Sequence, residues 1–193
     1  ALAARAVSIF RRLDRNGDGV LSKLELARAL RAGATKLYLT ARNPQDCEGF
    51  RQLQPSEHIQ WFNLDFLNSD QIASSGEAIL AAAPHIDRVI VTAGVLHDGE
   101  IQPEKRVGAL ETDAMLHLYQ VNAMGPVLFL KSLWPALRRA HPVTAASLSA
   151  RVGSISDNQL GGWYSYRASK AALNQYIRTL SIELARYNDQ AKI

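Results

Sequence analysis

Apolar residues in the first thirty positions recur at helical spacing. Val7, Phe10 and Leu13 share one helical face, and Leu24, Leu26, Ala27 and Leu30 continue on a second, with a polar, glycine-containing stretch between them. Past Gly33 the pattern shortens. Residues 36–40 (KLYLT) read as a strand that ends in the loop Ala41-Arg42-Asn43-Pro44, and 59–64 (IQWFNL) read as a second. A helix is expected over about 69–83, then the apolar run 86–92 as a strand. A further helix covers 111–122 and resumes over 127–140, 145–148 form a fourth strand, and 164–186 form a long last helix. Strands alternating with helices of this length predict an α/β fold, a doubly wound parallel sheet with helices on both faces. The expected organisation is a helix–loop–helix over 1–33 followed by the α/β domain over 34–193.

Composition narrows this little. In 193 residues, 47% hydrophobic and 21% charged residues describe an ordinary globular chain, which excludes a disordered tail or a collagen-like repeat. No apolar run reaches the ~20 residues of a membrane-spanning helix, so no membrane partner is expected. The lone Cys47 cannot form an internal disulfide, which suits a reducing, cytoplasmic compartment. The net charge of +4 would favour nucleic acid if it were clustered, but the arginines are scattered and no nucleic-acid partner is expected. The chain opens Ala1-Leu2-Ala3 without an initiator methionine, as a processed chain or a fragment would.

The polar stretch carries the first chemistry. Asp14, Asn16 and Asp18 fall at positions 1, 3 and 5 of a twelve-residue EF-hand loop, Gly19 takes the sharp turn at position 6, and Glu25 closes position 12. Val20 offers its carbonyl and Ser22 its hydroxyl, completing the oxygen set a hard cation requires. A plain Asp-Gly turn would explain one or two of these positions, whereas calcium explains all of them. No sister loop follows, so a solitary hand should bind Ca2+ near the weak end of the sensor range, ~10⁻⁵ M or weaker.

The second chemistry lies in the last helix, where Tyr166 and Lys170 stand four residues apart, hence on one face. Such pairs are common on solvated faces, but a cation beside a phenol also favours the phenolate and proton transfer. The surrounding residues decide between these. The run from Ser147-Leu148-Ser149-Ala150-Arg151-Val152-Gly153-Ser154 to Gly161-Gly162-Trp163-Tyr164-Ser165-Tyr166-Arg167-Ala168-Ser169-Lys170 resembles the short-chain dehydrogenase/reductase family, in its C-factor-like branch. Val91-Thr92-Ala93-Gly94 and Val121-Asn122-Ala123-Met124-Gly125 support the resemblance, which extends from about Gly33 to the end of the chain.

The resemblance implies an NADP(H)-dependent oxidoreductase acting on a small carbonyl or alcohol. Tyr166 would exchange the proton on the substrate oxygen, Lys170 would lower the phenol's pKa and hold the nicotinamide ribose, and Asn122 would position a relay water. Arg42 would favour the 2′-phosphate of NADP, Asp65 would lie by the adenine, and Ala93-Gly94 would admit the cofactor close to the backbone. The long last helix resembles the family's dimer-forming helix, leaving room for a homo-oligomer.

Three departures qualify this. Ala150 stands where many members carry the substrate-orienting serine, so Ser149, or less readily Ser154, would take that role. The three glycines of the phosphate-binding turn would fall at 17, 21 and 23, where the chain has Gly17, Leu21 and Lys23 inside the calcium loop. The family pattern also continues beyond Ile193 with segments that shape the substrate pocket, so the Rossmann-like sheet is expected to be incomplete at both ends. Two readings follow: a calcium-binding reductase, regulated or not, and a calcium module on an inactive dehydrogenase remnant.

Overall fold

The computed structural model describes residues 36–47, 50, 54–83, 85–99 and 101–193. The expected helix–loop–helix of 1–33, with all six proposed calcium ligands, lies outside the described residues. The chain divides between Leu64 and Asp65 into two compact units.

In the first unit, β1 (Leu37–Ala41) and β2 (Ile59–Asn63) pair in parallel, with Leu37 opposite Ile59 and Ala41 opposite Asn63. Strand alternation puts Leu37, Leu39, Ile59 and Trp61 into one apolar cluster. On the other face Tyr38 and Phe62 lie 6.3 Å apart.

The second unit opens with α1 (Ser69–Ala82), whose cap Asn68 accepts from the backbone N–H groups of Asp70 and Gln71 at 3.0 Å each. Strand β3 (Arg88–Val91) follows, then α2 (Thr112–Tyr119), α3 (Gly125–Ser132), α4 (Trp134–Leu137), β4 (Thr144–Ser147) and α5 (Tyr164–Leu184). β3 and β4 pair in parallel from Arg88–Thr144 to Val91–Ser147. After α5 the chain returns beside β4, where Ala145 donates to the Lys192 carbonyl at 2.8 Å. Buried Asn188 fixes that return by donating to the Leu137 and His141 carbonyls at 2.9 and 3.0 Å.

The parallel pairing expected from sequence is present, but as two two-stranded ladders. In the doubly wound order 3-2-1-4-5-6 these are the neighbours 2–3 and 4–5. No strand among the described residues corresponds to strand 1 of that order.

The middle helix also differs from expectation. Instead of a break near 123–126 the chain stays helical, through a π-turn at Gln120–Met124 that runs into α3. Pro126 explains it: a proline has no N–H for the i−4 carbonyl and its ring crowds that carbonyl. Widening the turn relieves both problems, and the Gly125 N–H reaches the Gln120 carbonyl five residues back. Gly125 is needed there, since a Cβ would stand 2.7 Å from Phe66 Cδ2 and collide with that side chain's Cβ and Cγ. Gly125→Ala should therefore cost about 1–3 kcal/mol by overpacking. The urea-unfolding midpoint measures this, and an unchanged midpoint would show that Phe66 moves aside freely.

Candidate active site

The C-terminal ends of β3 and β4, the π-turn and the start of α5 converge in the second unit. Ser165, Ser169, Lys170 and Leu173 form the inward face of α5 and are buried. Tyr166 is half-buried at the rim. Lys170, 3% exposed, runs beneath it, with Nζ 5.8 Å from the centre of the phenol ring. That ammonium donates to the Leu148 carbonyl, just past β4, at 3.0 Å. It also lies against Gly94, where an added Cβ would stand 2.9 Å from Nζ. The bare backbone of Gly94 is what lets the ammonium come this close.

Asn122, fully buried in the π-turn, ties these segments together. Its Oδ1 accepts from the Val95 N–H at 2.6 Å, and its Nδ2 donates to the Val95 carbonyl at 2.8 Å and to Ser169 Oγ at 3.1 Å. Ser169 in turn donates to the Tyr166 carbonyl at 2.9 Å. Asn122 therefore holds the backbone just past Gly94 and reaches α5 through one hydroxyl.

Electrostatics at the pair run against the sequence argument. Burial lowers Lys170 to about 8 and raises Tyr166 above its ordinary 10.0. Desolvation disfavours the charged form of each. It dominates because the ammonium sits over the ring and bonds Leu148, so the pair on its own does not favour a phenolate.

The remaining predicted residues are dispersed. Ala93 and Gly94 follow β3 directly. Ser149 is exposed, and Ser154 accepts from the Asp157 N–H at 3.3 Å within its own turn. Ser147, which sequence reasoning passed over, ends β4 with a buried Oγ that has no hydrogen-bond partner. No spacing signal distinguishes it from its serine neighbours. Arg42 is exposed just past β1 in the first unit. Asp65 opens the second unit, accepting from the Leu67 N–H at 2.9 Å and donating its own N–H to Gln71 at 3.1 Å. Both follow strand C-termini, where open α/β sheets bind ligands.

Comparison with known proteins matches these features. The short chain dehydrogenase family model matches residues 24–192, and an EF-hand domain model matches residues 5–37. C-signal of Myxococcus xanthus is 36% identical over 78 residues, 40% of this chain and 47% of that protein. A 1-hydroxy-2-glutathionyl-2-methyl-3-butene dehydrogenase of Rhodococcus is 31% identical over 58% of this chain and 46% of its own length. The chain thus spans about half the length of these curated relatives. Among solved structures, the carbonyl reductase Sniffer of D. melanogaster superposes with TM-score 0.70 at 24% identity, over 79% of this chain and 65% of that one. A short-chain dehydrogenase/reductase from Burkholderia multivorans with bound NADP gives 0.68 at 24% identity, over 86% and 68%. These structural likenesses establish a Rossmann-type fold, and the chain belongs to the short-chain dehydrogenase family. No described helix is long and apolar enough to cross a membrane.

The buried lysine has a measurable signature. The unfolded chain keeps the Lys170 proton up to its ordinary 10.5, whereas the folded chain releases it near 8. Between those values the unfolded state binds more protons, so stability rises with pH. A gain on the order of 2 kcal/mol is expected from about pH 7.5 to about pH 10, and Lys170→Met should remove it. Parallel pH profiles for the two proteins in urea unfolding would refute the assignment.

Proposed function

We propose that the chain is an NADP(H)-dependent oxidoreductase of small carbonyls or alcohols, with Tyr166 as acid/base, joined to a calcium-binding N-terminal hand. The observation that carries this reading is the half-buried Tyr166 above a buried Lys170, whose ammonium packs against the bare backbone of Gly94. Tyr166 and Lys170 would face the nicotinamide end of a dinucleotide, which would supply the hydride when bound. A phenol whose pKa is raised stays protonated at neutral pH, so Tyr166 is set to give its proton to a carbonyl oxygen as the carbon is reduced. The phenolate that develops would be stabilised by Lys170 as long as the ammonium keeps its proton. Arg42 would meet the 2′-phosphate and Asp65 the adenine, with Ser149 or Ser154 orienting the substrate. Asp14, Asn16, Asp18, Val20, Ser22 and Glu25 would hold calcium, a reading supported by the EF-hand match over 5–37.

A second reading, calcium binding on an inactive scaffold, draws on two sequence features. Leu21 and Lys23 stand at glycine positions of the phosphate turn, whose glycines let pyrophosphate rest on backbone N–H groups. Ala150 also stands at the usual serine position.

Titration of the chain with NADPH, in calcium and in chelator, separates the readings. Saturable binding and turnover support the enzyme, and absence of both in either buffer supports the inactive scaffold. For an active chain, Tyr166→Phe should lower kcat about 10²- to 10⁴-fold while leaving NADPH affinity within about twofold. Carbonyl reduction should also fall as pH rises past about 8, where Lys170 loses its proton. A rate that holds steady through that range would remove Lys170 from the proton-transfer step.

A further inference from the structure

The helix that carries Tyr166 begins without a cap of its own. Its cap position is Trp163, which has no side-chain oxygen to accept from the first-turn N–H groups. The chain enters through Gly161, Gly162 and Trp163 at φ +65°, +66° and +53°, three left-handed residues in a row. For the tryptophan this is a backbone state that L side chains rarely adopt. Something outside the helix has to hold that entry.

Glu104 does so from 61 residues away. It is 6% exposed, and it and Lys170 are the two charged side chains buried among the described residues. One carboxylate oxygen accepts from the Ser165 N–H at 3.3 Å, and the other accepts a short bond from the Ser165 hydroxyl. The Glu104 backbone carbonyl accepts from the Trp163 N–H. From the helix side, Arg167 donates to the Gly162 and Gly161 carbonyls at 2.9 and 3.2 Å. An anion at a helix N-terminus is favoured by the exposed N–H dipoles. Ser165 directly precedes Tyr166, and the Trp163 ring meets the Tyr166 ring edge-on at 6.3 Å.

We infer that Glu104 is a positioning residue for the reaction: by fixing Ser165 and Trp163 it sets where the Tyr166 hydroxyl stands relative to the substrate oxygen. The inference rests on the proposed role of Tyr166 as acid/base. Glu104 itself takes no part in proton transfer. Its carboxylate accounts for both polar groups of Ser165, which would otherwise be buried without partners. Arg167, which bonds the Gly161 and Gly162 carbonyls, and Lys105, whose backbone lies against Gly162, are further charged residues at this turn.

Glu104→Ala and Glu104→Gln test it. Alanine should lower kcat at least about tenfold with NADPH affinity within about twofold, since a small misplacement of a reacting group is costly. Glutamine, which still accepts from Ser165, should recover most of the rate. A fall in melting temperature with kcat per folded molecule unchanged would make Glu104 merely structural and overturn the inference. A second readout does not depend on turnover: the tyrosinate absorbance of Tyr166, taken as the difference from the Tyr166→Phe protein. Freeing the first turn hydrates the phenol, which lowers its midpoint. Glu104→Ala should therefore titrate at least about half a pH unit below the parent chain, with Glu104→Gln between them. Coincident midpoints for parent and alanine variant would overturn the inference even if the chain proved inactive.

Discussion

The side chain of Asn122 is the point on which the site depends. A carboxamide offers one acceptor and two donor hydrogens, and the contacts to Val95 and Ser169 use both ends. Those contacts fasten the segment after β3 to the helix carrying the tyrosine. They exist because the π-turn rotates residue 122 toward the strand end, and the π-turn exists because Pro126 cannot take part in an ordinary α-helical turn. A local backbone defect thus becomes a fixed distance between Gly94 and Lys170. Loss of the amide would leave the Val95 backbone groups buried without their partner, at a cost of about 1–3 kcal/mol.

Two opposed electrostatic demands meet on the same helix. At its first turn an anion, Glu104, is welcome, because N–H groups converge there and burial strengthens the attraction. One turn further on, the cation Lys170 is buried with one carbonyl bond, and desolvation pulls its pKa down to about 8. The first arrangement anchors the helix, whereas the second leaves the lysine able to change charge near neutral pH. The two buried charges at this helix thus stand in opposite settings, one met by N–H groups and a hydroxyl, the other by a single carbonyl.

Much of this was legible in the sequence. The strand and helix periods located every described strand to within two residues, because alternation and 3.6-residue spacing follow directly from burial. That Tyr166 and Lys170 share one helical face followed from their four-residue spacing, whereas the roles expected of them and of Gly94 came from the family resemblance. The π-turn was not: Pro126 signals a disturbance in a helix, but whether the helix breaks or widens depends on what packs against it, here Phe66 over Gly125. Glu104 was illegible for a different reason. Its partner is 61 positions away, in a loop without period, and a lone glutamate in a polar segment reads as a solvated charge. The direction of the tyrosine's pKa was misread because spacing reports proximity and says nothing of desolvation.

On the proposed reading, calcium and a dinucleotide would be coupled through the charge of the segment Asp14 to Glu25. Between Asp14 and Glu25 the loop carries three carboxylates, Asp14, Asp18 and Glu25, against Arg15 and Lys23, a net charge of −1. In that state it repels a pyrophosphate. One bound Ca2+ adds two positive charges and turns the loop to +1. A dinucleotide whose phosphates approached this segment would then meet attraction where it had met repulsion. Linkage makes the effect mutual, so that whatever calcium adds to dinucleotide affinity the dinucleotide adds to calcium affinity. A solitary hand, weak by itself, would gain affinity when the dinucleotide is present. On that reading a bound cation would supply part of the favourable field that bare backbone N–H groups supply in a glycine-rich phosphate turn.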